Sequence, residues 1–217
     1  MRPVFAPGCA LMVDRPVASA RLLAHLVDEL GGVDEHLTCC RHEPGLAAGT
    51  RVINVCPGCD RRYRDLYPGI STISLWEVLA VSARFPFPDY GEAEMAVLDA
   101  CPTRTQTRVH EAIRALLRRM RIRAIEPERA RERTVCCGDE AWGVLPVDRV
   151  KELMRRRAAD MPREDVVVHC YSCVKAMHIG GRRPRHLVDL LLGEATPIGE
   201  FEPDAWHARI QAFIDAH

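Results

Sequence analysis

The residues best suited to chemistry are the ten cysteines, which fall into two sets with the same internal order. Each set contains a single cysteine, then an adjacent pair, then a C-x-x-C motif. The first set is Cys9, Cys39, Cys40, Cys56 and Cys59, and the second is Cys101, Cys136, Cys137, Cys170 and Cys173. Thiolates are preferred ligands of zinc and of iron–sulfur clusters. The sequence therefore predicts two metal sites of five cysteines each.

Disulfide bonds are an alternative use of ten cysteines, and two observations disfavour them. Disulfides persist in oxidising compartments, whereas Met1–Val13 has one early arginine and no long apolar core of the kind found in secretory signals. Adjacent cysteines seldom bridge each other without backbone strain. No segment approaches the roughly 20 apolar residues of a membrane span. We therefore expect a reduced, cytoplasmic protein with no membrane span.

The charge balance restricts the class of partner. The 217 residues carry 30 basic and 30 acidic side chains, and the pI is about 7.1. Nucleic-acid binding needs an excess of basic charge over a surface, so we expect no nucleic-acid partner. The length suffices for one substantial core or two small ones.

Short apolar runs predict a strand just before four of the cysteines. These strands are Pro3–Ala6, Arg51–Val55, Met95–Leu98 and Asp165–His169. Helices are predicted at Val17–Leu30, Arg61–Leu66, Leu75–Val81, Thr107–Met120, Val147–Ala159, Arg185–Leu192 and Asp204–Ala216, with another directly after Cys170. Strands that alternate with helices indicate a parallel sheet covered by helices.

The repeated order of cysteines and elements indicates an internal duplication. Phe85–Gly91 contains two prolines and a glycine, which is typical of a linker. We expect an α/β fold with two Rossmann-like lobes, residues 1–84 and residues 92–217. Ligands of such sheets bind beyond the carboxyl ends of the strands, so the cysteines at those ends should converge within each lobe.

The number of thiolates distinguishes between the candidate metals. Structural zinc takes four tetrahedral ligands, and five exceed what one zinc ion uses. Adjacent cysteines do not easily reach the same tetrahedral corner, but they can bind neighbouring irons of a cluster. The spacing favours a multi-iron cluster over zinc in the second half of the chain.

The chain resembles the cysteine-rich CCG domain family, whose type example is the cysteine-rich subunit of heterodisulfide reductase. That family's motif is a cysteine, a CCG and a C-x-x-C, separated by thirty-odd residues and usually present twice. The second half runs Cys101, 34 residues, Cys136-Cys137-Gly138, 32 residues, Cys170-Tyr171-Ser172-Cys173. Pro7-Gly8-Cys9 and Cys56-Pro57-Gly58-Cys59 resemble parts of the same motif.

The resemblance implies one or two non-cubane 4Fe–4S clusters, each held by five cysteines of a two-lobed α/β protein. It implies an iron–sulfur redox subunit, a component of an oxidoreductase that transfers electrons within a complex and reduces a disulfide substrate. The partners would be a ferredoxin-like iron–sulfur subunit, a flavoprotein subunit, or both. Relatives in 2-hydroxy acid oxidation systems suggest an alternative role, a subunit that only passes electrons. Another alternative is a zinc-stabilised structural or regulatory module without redox activity.

The first half departs from the family's motif. Only 15 residues separate Cys40 from Cys56, and Arg41 stands where the family has a glycine. Glycine allows backbone conformations that arginine does not. The first lobe is therefore expected to hold a metal, either iron in a different cluster or zinc, and the alternative is a first site without metal.

Several polar residues near the cysteines are candidates for proton transfer or ligation. His169 and His178 flank the second C-x-x-C, His42 follows the first adjacent pair, and Asp139 and Glu140 follow the CCG. An acid here could deliver a proton to a leaving thiolate, although acids at helix starts are common for electrostatic reasons.

Arginines form a second group of interest. They are Arg114, Arg118, Arg119, Arg121, Arg123, Arg155, Arg156 and Arg157. The sequence favours a solvated basic face, and the alternative is a docking surface for an acidic electron-transfer partner.

Overall fold

Each half of the chain folds around its own four-stranded, all-parallel sheet. The structure is a computed structural model that describes residues 2–217. It divides into one unit of residues up to Pro86 together with Arg209–His217, and another of Phe87–Ala208. We call these the first lobe and the second lobe. The predicted α/β class, with parallel sheets flanked by helices, is confirmed.

The sheet of the first lobe has the strand order β2-β1-β3-β4. Its elements are β1 (Val4–Ala6), α1 (Cys9–Asp14), α2 (Pro16–Leu30), β2 (Asp34–Glu35), β3 (Arg51–Asn54), α3 (Pro57–Leu66), β4 (Ser71–Ser74) and α4 (Leu75–Ala80). Proline at the first position starts α2, and Gly31, in the left-handed conformation, ends it. A capping box between Ser74 and Glu77 starts α4.

The sheet of the second lobe has the equivalent strand order, β6-β5-β7-β8. Its elements are β5 (Ala93–Leu98), α5 (Thr107–Arg119), β6 (Ile122–Ile125), α6 (Val147–Ala159), β7 (Asp165–Val168), α7 (Tyr171–Ile179), β8 (Arg183–His186) and α8 (Leu187–Leu191). Three short 3₁₀ turns lie at Cys101–Thr103, Arg131–Arg133 and Asp139–Ala141. The final helix is α9 (Pro203–Ala216).

The two central strands of each sheet are the ones that the sequence predicts. All three residues of β1 are buried, as are the last three of β3 and of β7. Strands of a parallel sheet are covered on both faces, so they appear in the sequence as continuous apolar runs. This burial explains why β1, β3, β5 and β7 are recognisable without the structure.

The outer strands, in contrast, are absent from the sequence-based prediction. Both residues of β2 are exposed, and β8 begins with Arg183. The predicted helix Arg185–Leu192 is wrong at its start, because Arg185 and His186 pair with β7 as part of β8 and the helix covers Leu187–Leu191. An outer strand is held by backbone hydrogen bonds on one side, and its side chains need not be apolar.

The C-terminal residues belong to the first lobe. The predicted second lobe ran to residue 217, whereas Arg209–His217 are grouped with the first unit. Ile214 is buried in the same core cluster as Val4 and Tyr63. The backbone N–H of Cys39 donates to the carbonyl of His217 at 3.2 Å. Apolar burial and this hydrogen bond account for the assignment.

Across residues 2–217, no helix combines the length and the apolar character required to cross a membrane.

Candidate metal centres

Strand ends deliver the cysteines to one edge of each sheet. Cys9 opens α1 shortly after β1, and Cys56 is the residue before α3, directly after β3. In the second lobe, Cys101 opens a 3₁₀ turn after β5, and Cys170 precedes α7 after β7. Carboxyl ends of parallel strands lie at the same edge of a sheet, so the cysteines of each lobe converge there.

The five sulfurs of the first lobe form an unbroken chain of neighbours. Cys9 Sγ lies 3.3 Å from Cys39 Sγ. Side-chain hydrogen bonds then link the remaining thiols in the order Cys39, Cys40, Cys59 and Cys56. All five are free thiols. The loop of 15 residues between Cys40 and Cys56 therefore does not prevent the five from meeting.

The second lobe has the same chain of sulfurs in the same order. Hydrogen bonds link the thiols in the order Cys101, Cys136, Cys137, Cys173 and Cys170. These five are free thiols as well. All ten cysteines that the sequence singles out thus lie in two compact clusters, five to a lobe.

One thiol of each cluster is the preferred site of negative charge. Cys39 accepts hydrogen bonds from Cys40 and Cys9, and they lower its pKa to about 2. Cys136 has the same position in the second lobe, and its hydrogen bonds, the largest effect being that of Cys101, lower its pKa to about 2. A thiolate is the metal-binding form of cysteine, and the first residue of each adjacent pair is the cysteine of its cluster that ionises most readily.

Two glycines allow the close approach of these segments. Gly8 has a φ of 82°, and a Cβ at this position would lie 3.1 Å from Cys56 Cβ. Gly138 has a φ of 111°, and its Cβ would lie 2.9 Å from the backbone nitrogen of Met154 in α6. A side chain at either position would combine an unfavourable φ with a steric overlap.

Arg41 stands at the position of Gly138 without such a conflict. The first lobe has no helix equivalent to α6, because the chain from residue 41 to residue 50 contains only turns and irregular structure. Arg41 extends outward, and its guanidinium donates to Gln211 Oε1 at 3.2 Å. The first lobe therefore has an arginine in place of the CCG glycine where its loop after the adjacent pair is shorter and contains no helix.

A partly buried network surrounds Asp139, the residue after the CCG. Lys175 Nζ, on a side chain that is 2% exposed, lies 2.7 Å from Asp139 Oδ1 and over the ring of Trp206. His207 lies 3.1 Å from the same oxygen and stacks on Trp142. Burial alone would raise the pKa of Asp139, but the His207 hydrogen bond and the Lys175 charge outweigh it and hold that pKa well below its usual range.

A second, buried network lies behind Cys101. Asp99 forms a two-pronged ion pair with Arg114, whose Nη2 lies 2.8 Å from Asp99 Oδ2. Arg114 also donates to Glu126 at 2.9 Å through Nε. Nearby, His169 Nε2 accepts from the backbone N–H of Ala100 at 3.0 Å. Complete burial lowers the pKa of His169 to about 4.

The other candidate histidines have partners outside the sulfur clusters. His42 Nε2 lies 2.9 Å from the carbonyl oxygen of Ile214. His178 packs edge-on against Phe201 with ring centroids 4.6 Å apart. Both contacts fit structural roles.

The predicted basic face is wrong for two of its members. Arg114 and Arg157 are almost fully buried, because Arg114 pairs with Asp99 and Arg157 bonds to Asp160 and the carbonyl of Arg129. Arg118, Arg119, Arg121, Arg123, Arg155 and Arg156 are exposed. A docking surface on these remaining arginines stays a prediction.

A cavity opens beside the cysteines of the second lobe. It has a volume of about 620 Å³, and Cys136, Gly138, Glu140, Val144 and Leu153 are among its lining residues. Sulfur atoms of Cys101 and Cys136 and a carboxylate oxygen of Glu140 all lie within 4.8 Å of one another. The cavity beside the first cluster, lined by Cys9, Cys39, Cys40 and Cys59, measures about 10 Å³.

Sequence reasoning did not identify Lys175, His207, Asp99 or Arg114 as parts of the site. Lys175 offered a signal, because it is the one charged residue within the otherwise uncharged run of α7 and lies two positions after Cys173. The remaining three gave none, since their roles depend on contacts between distant segments.

No protein-family model matches the chain, and no curated protein matches it either. The structure contains two close clusters of thiols that fit metal binding.

Proposed function

We propose that this chain is an iron–sulfur redox subunit similar to the cysteine-rich subunit of heterodisulfide reductase. Five thiolates of each lobe would bind a non-cubane 4Fe–4S cluster. The observation that carries the proposal is the unbroken chain of five neighbouring sulfurs, which has the same order in both lobes. One zinc ion takes four ligands, whereas a cluster of several irons has positions for all five.

The two lobes would have different tasks. Cys39 is buried, whereas its counterpart Cys136 is partly exposed and lines the cavity of about 620 Å³. The cavity beside the second cluster is therefore large enough for a small molecule, and the one beside the first, at about 10 Å³, is not. We assign substrate chemistry to the second lobe and electron storage or transfer to the first.

The proposed reaction at the second lobe is reduction of a disulfide. Two electrons and two protons convert the disulfide into two thiols, and an iron–sulfur cluster supplies electrons in single steps when bound. The electrons would come from a ferredoxin-like iron–sulfur subunit or a flavoprotein subunit. This chain's residues would hold the cluster and leave the cavity open on the Cys136 side.

Metal analysis of matched variants tests the proposal. The protein is purified without oxygen, and iron, zinc and acid-labile sulfide are measured. The variants are Cys136→Ala with Cys137→Ala, and Cys39→Ala with Cys40→Ala. Each occupied lobe should contribute about four irons and four sulfides, so each double variant should lose about half of the wild-type content and colour. Reduction of a disulfide by reduced viologen should be lost with the second-lobe pair.

The opposite results identify the alternatives. One or two zinc ions per chain and no sulfide would mean a structural or regulatory module. A full iron content without turnover of any disulfide would leave a subunit that only passes electrons.

A further inference from the structure

Glu140 lies at the edge of the second cysteine cluster that faces the cavity. Its carboxylate oxygen and the sulfurs of Cys101 and Cys136 lie within 4.8 Å of one another. Metal–sulfur bonds of about 2.3 Å and metal–oxygen bonds of about 2.0–2.2 Å place the ligands of one tetrahedral ion roughly 3.5–3.8 Å apart. A change of at most about 1.3 Å in the distance between any two of these atoms therefore brings all three onto one metal.

The backbone holds Glu140 beside Cys136. Gly138 reverses the chain with a φ of 111°, and a 3₁₀ turn at Asp139–Ala141 follows. Backbone N–H groups of Glu140 and Gly138 donate to the Cys136 sulfur, the latter at 3.4 Å. The side chain starts next to one ligand sulfur, so its carboxylate is close to any metal that this sulfur binds.

The two acids after the CCG have different surroundings. The Asp139 side chain is 12% exposed and is held by Lys175 and His207. Glu140 is exposed to the cavity. Within residues 2–217 its carboxylate has no ion pair or side-chain hydrogen bond. It is therefore available as a ligand, whereas Asp139 is committed to the partly buried network.

The first lobe offers a natural control for this geometry. Glu43 follows Cys40 by three residues, just as Glu140 follows Cys137. Glu43 is exposed, and among the described residues it forms no comparable group with Cys9 and Cys39. Sequence offset alone does not bring a carboxylate to the sulfurs. The turn that begins at Gly138 does so.

We propose that Glu140 is an oxygen ligand of the second-lobe metal centre, bound next to Cys101 and Cys136. The assignment rests on the proposed function only in that a metal occupies this lobe, and it holds for iron or zinc. A carboxylate is a harder ligand than a thiolate and binds soft metals less strongly. Glu140 therefore marks the position at which a molecule entering the cavity replaces a protein ligand.

The test measures how fast metal leaves the second lobe. Anaerobically purified protein is incubated with 1,10-phenanthroline, an uncharged chelator, and the metal that remains bound is measured after rapid desalting. Glu140→Gln removes the charge and most of the ligand strength, and Glu140→Asp keeps the charge but withdraws the oxygen by one methylene. Both should release about half of the bound metal 10–100-fold faster than wild type, because removing groups that support a metal site lowers metal affinity by that factor and a weaker site loses its metal sooner. Glu43→Gln should match wild type.

Each outcome decides the assignment. Equal release rates in wild type and Glu140→Gln would overturn it. So would a fast Glu140→Gln with a wild-type rate in Glu140→Asp, because the effect would then be one of charge alone. A second lobe without any metal would also overturn it. Zinc in place of iron, with fast release in both Glu140 variants, would keep the assignment and refute the iron–sulfur function.

Discussion

The two lobes place five sulfurs in the same order although the segments that carry them differ. In the second lobe 32 residues and the whole of α6 separate the adjacent pair from the C-x-x-C motif, and in the first only 15 residues and no helix do so. Strand order is also equivalent. The sulfur arrangement is therefore set by the strand ends and the turn at the adjacent pair. Helix α6 is not required for it.

Helix α6 affects the packing around the cysteine cluster of the second lobe. Gly138 and Gly180 both approach this helix, and a Cβ at Gly180 would lie 2.1 Å from Ala158 Cβ. The first lobe lacks α6 and carries Arg41 in place of the first of these glycines. The glycine of the CCG motif thus serves the contact with α6, and the cysteines themselves do not depend on it.

The lobes also differ in where they bury charge. The second lobe buries the Asp99–Arg114 pair behind Cys101. The first lobe has Pro7 at the position of Asp99, and its charged group lies on α3, where Asp60 bonds to Asn54 and to Arg64, each at 2.9 Å. Each lobe fixes a different cysteine-bearing segment by polar contacts, so substitutions at corresponding sites should have unequal effects.

The largest difference is expected between two arginines. Arg114→Met leaves Asp99, which is fully buried, without its counter-ion, and such a loss costs about 3–5 kcal/mol of unfolding free energy. Arg64→Met removes an arginine that is 37% exposed, and the carboxylate left behind, Asp60, is 6% exposed but keeps the hydrogen bond from Asn54, so the cost should be smaller, about 1–3 kcal/mol. Urea denaturation of the two variants and of wild type measures both losses of unfolding free energy.

A double variant separates charge from packing. Adding Asp99→Asn to Arg114→Met should restore at least about 1 kcal/mol, because a neutral amide tolerates burial better than an unpaired carboxylate. If Arg64→Met proved as damaging as Arg114→Met, burial would not explain the difference between the lobes.

The second expected difference concerns the residue after each adjacent pair. Gly138→Arg introduces both a strained φ and an overlap with the backbone of Met154, which together should cost about 2–4 kcal/mol. Arg41→Gly removes an exposed hydrogen bond to Gln211 and a weak electrostatic interaction with Cys39, and should cost less than about 1 kcal/mol. Thermal and urea unfolding test the pair. Equal tolerance of both changes would show that α6 does not impose the glycine.

Much of this organisation is visible in the sequence, for identifiable reasons. The ten cysteines are defined by spacing, and the four central strands by apolar runs buried on both faces. The outer strands β2, β4, β6 and β8 are not visible, since backbone pairing rather than apolar side chains holds them.

The residues that support the second cluster are less predictable. Arg114 looks like one of several surface arginines on an amphipathic helix, and only its position opposite Asp99 shows that it is buried. Lys175 and Asp139 lie 36 positions apart in the sequence, and their contact depends on how α7 meets the CCG turn. Tertiary contacts of this kind leave no periodicity in the chain.

The smallest expected difference is one of pH dependence, at the residue before each C-x-x-C motif. The first lobe has Val55 there, and the second has His169, whose burial lowers its pKa from 6.5 to about 4. The His169 imidazole therefore binds a proton more readily in the unfolded chain than in the folded one. The stability that His169 contributes is complete above about pH 6.5 and is lost as the pH falls towards 4. Between pH 7 and pH 5 the loss should be about 2 kcal/mol.

His169→Gln isolates this contribution, because the amide oxygen can still accept the Ala100 N–H but does not titrate. Urea unfolding of wild type and variant at pH 7 and pH 5 gives two losses of stability, and the wild-type loss should be about 2 kcal/mol larger. Protonation of the cysteines weakens metal binding in both proteins alike and cancels in this comparison. Equal losses in the two proteins would mean that His169 has the same pKa in the folded lobe as in the unfolded chain, so that its burial does not disfavour the charged form.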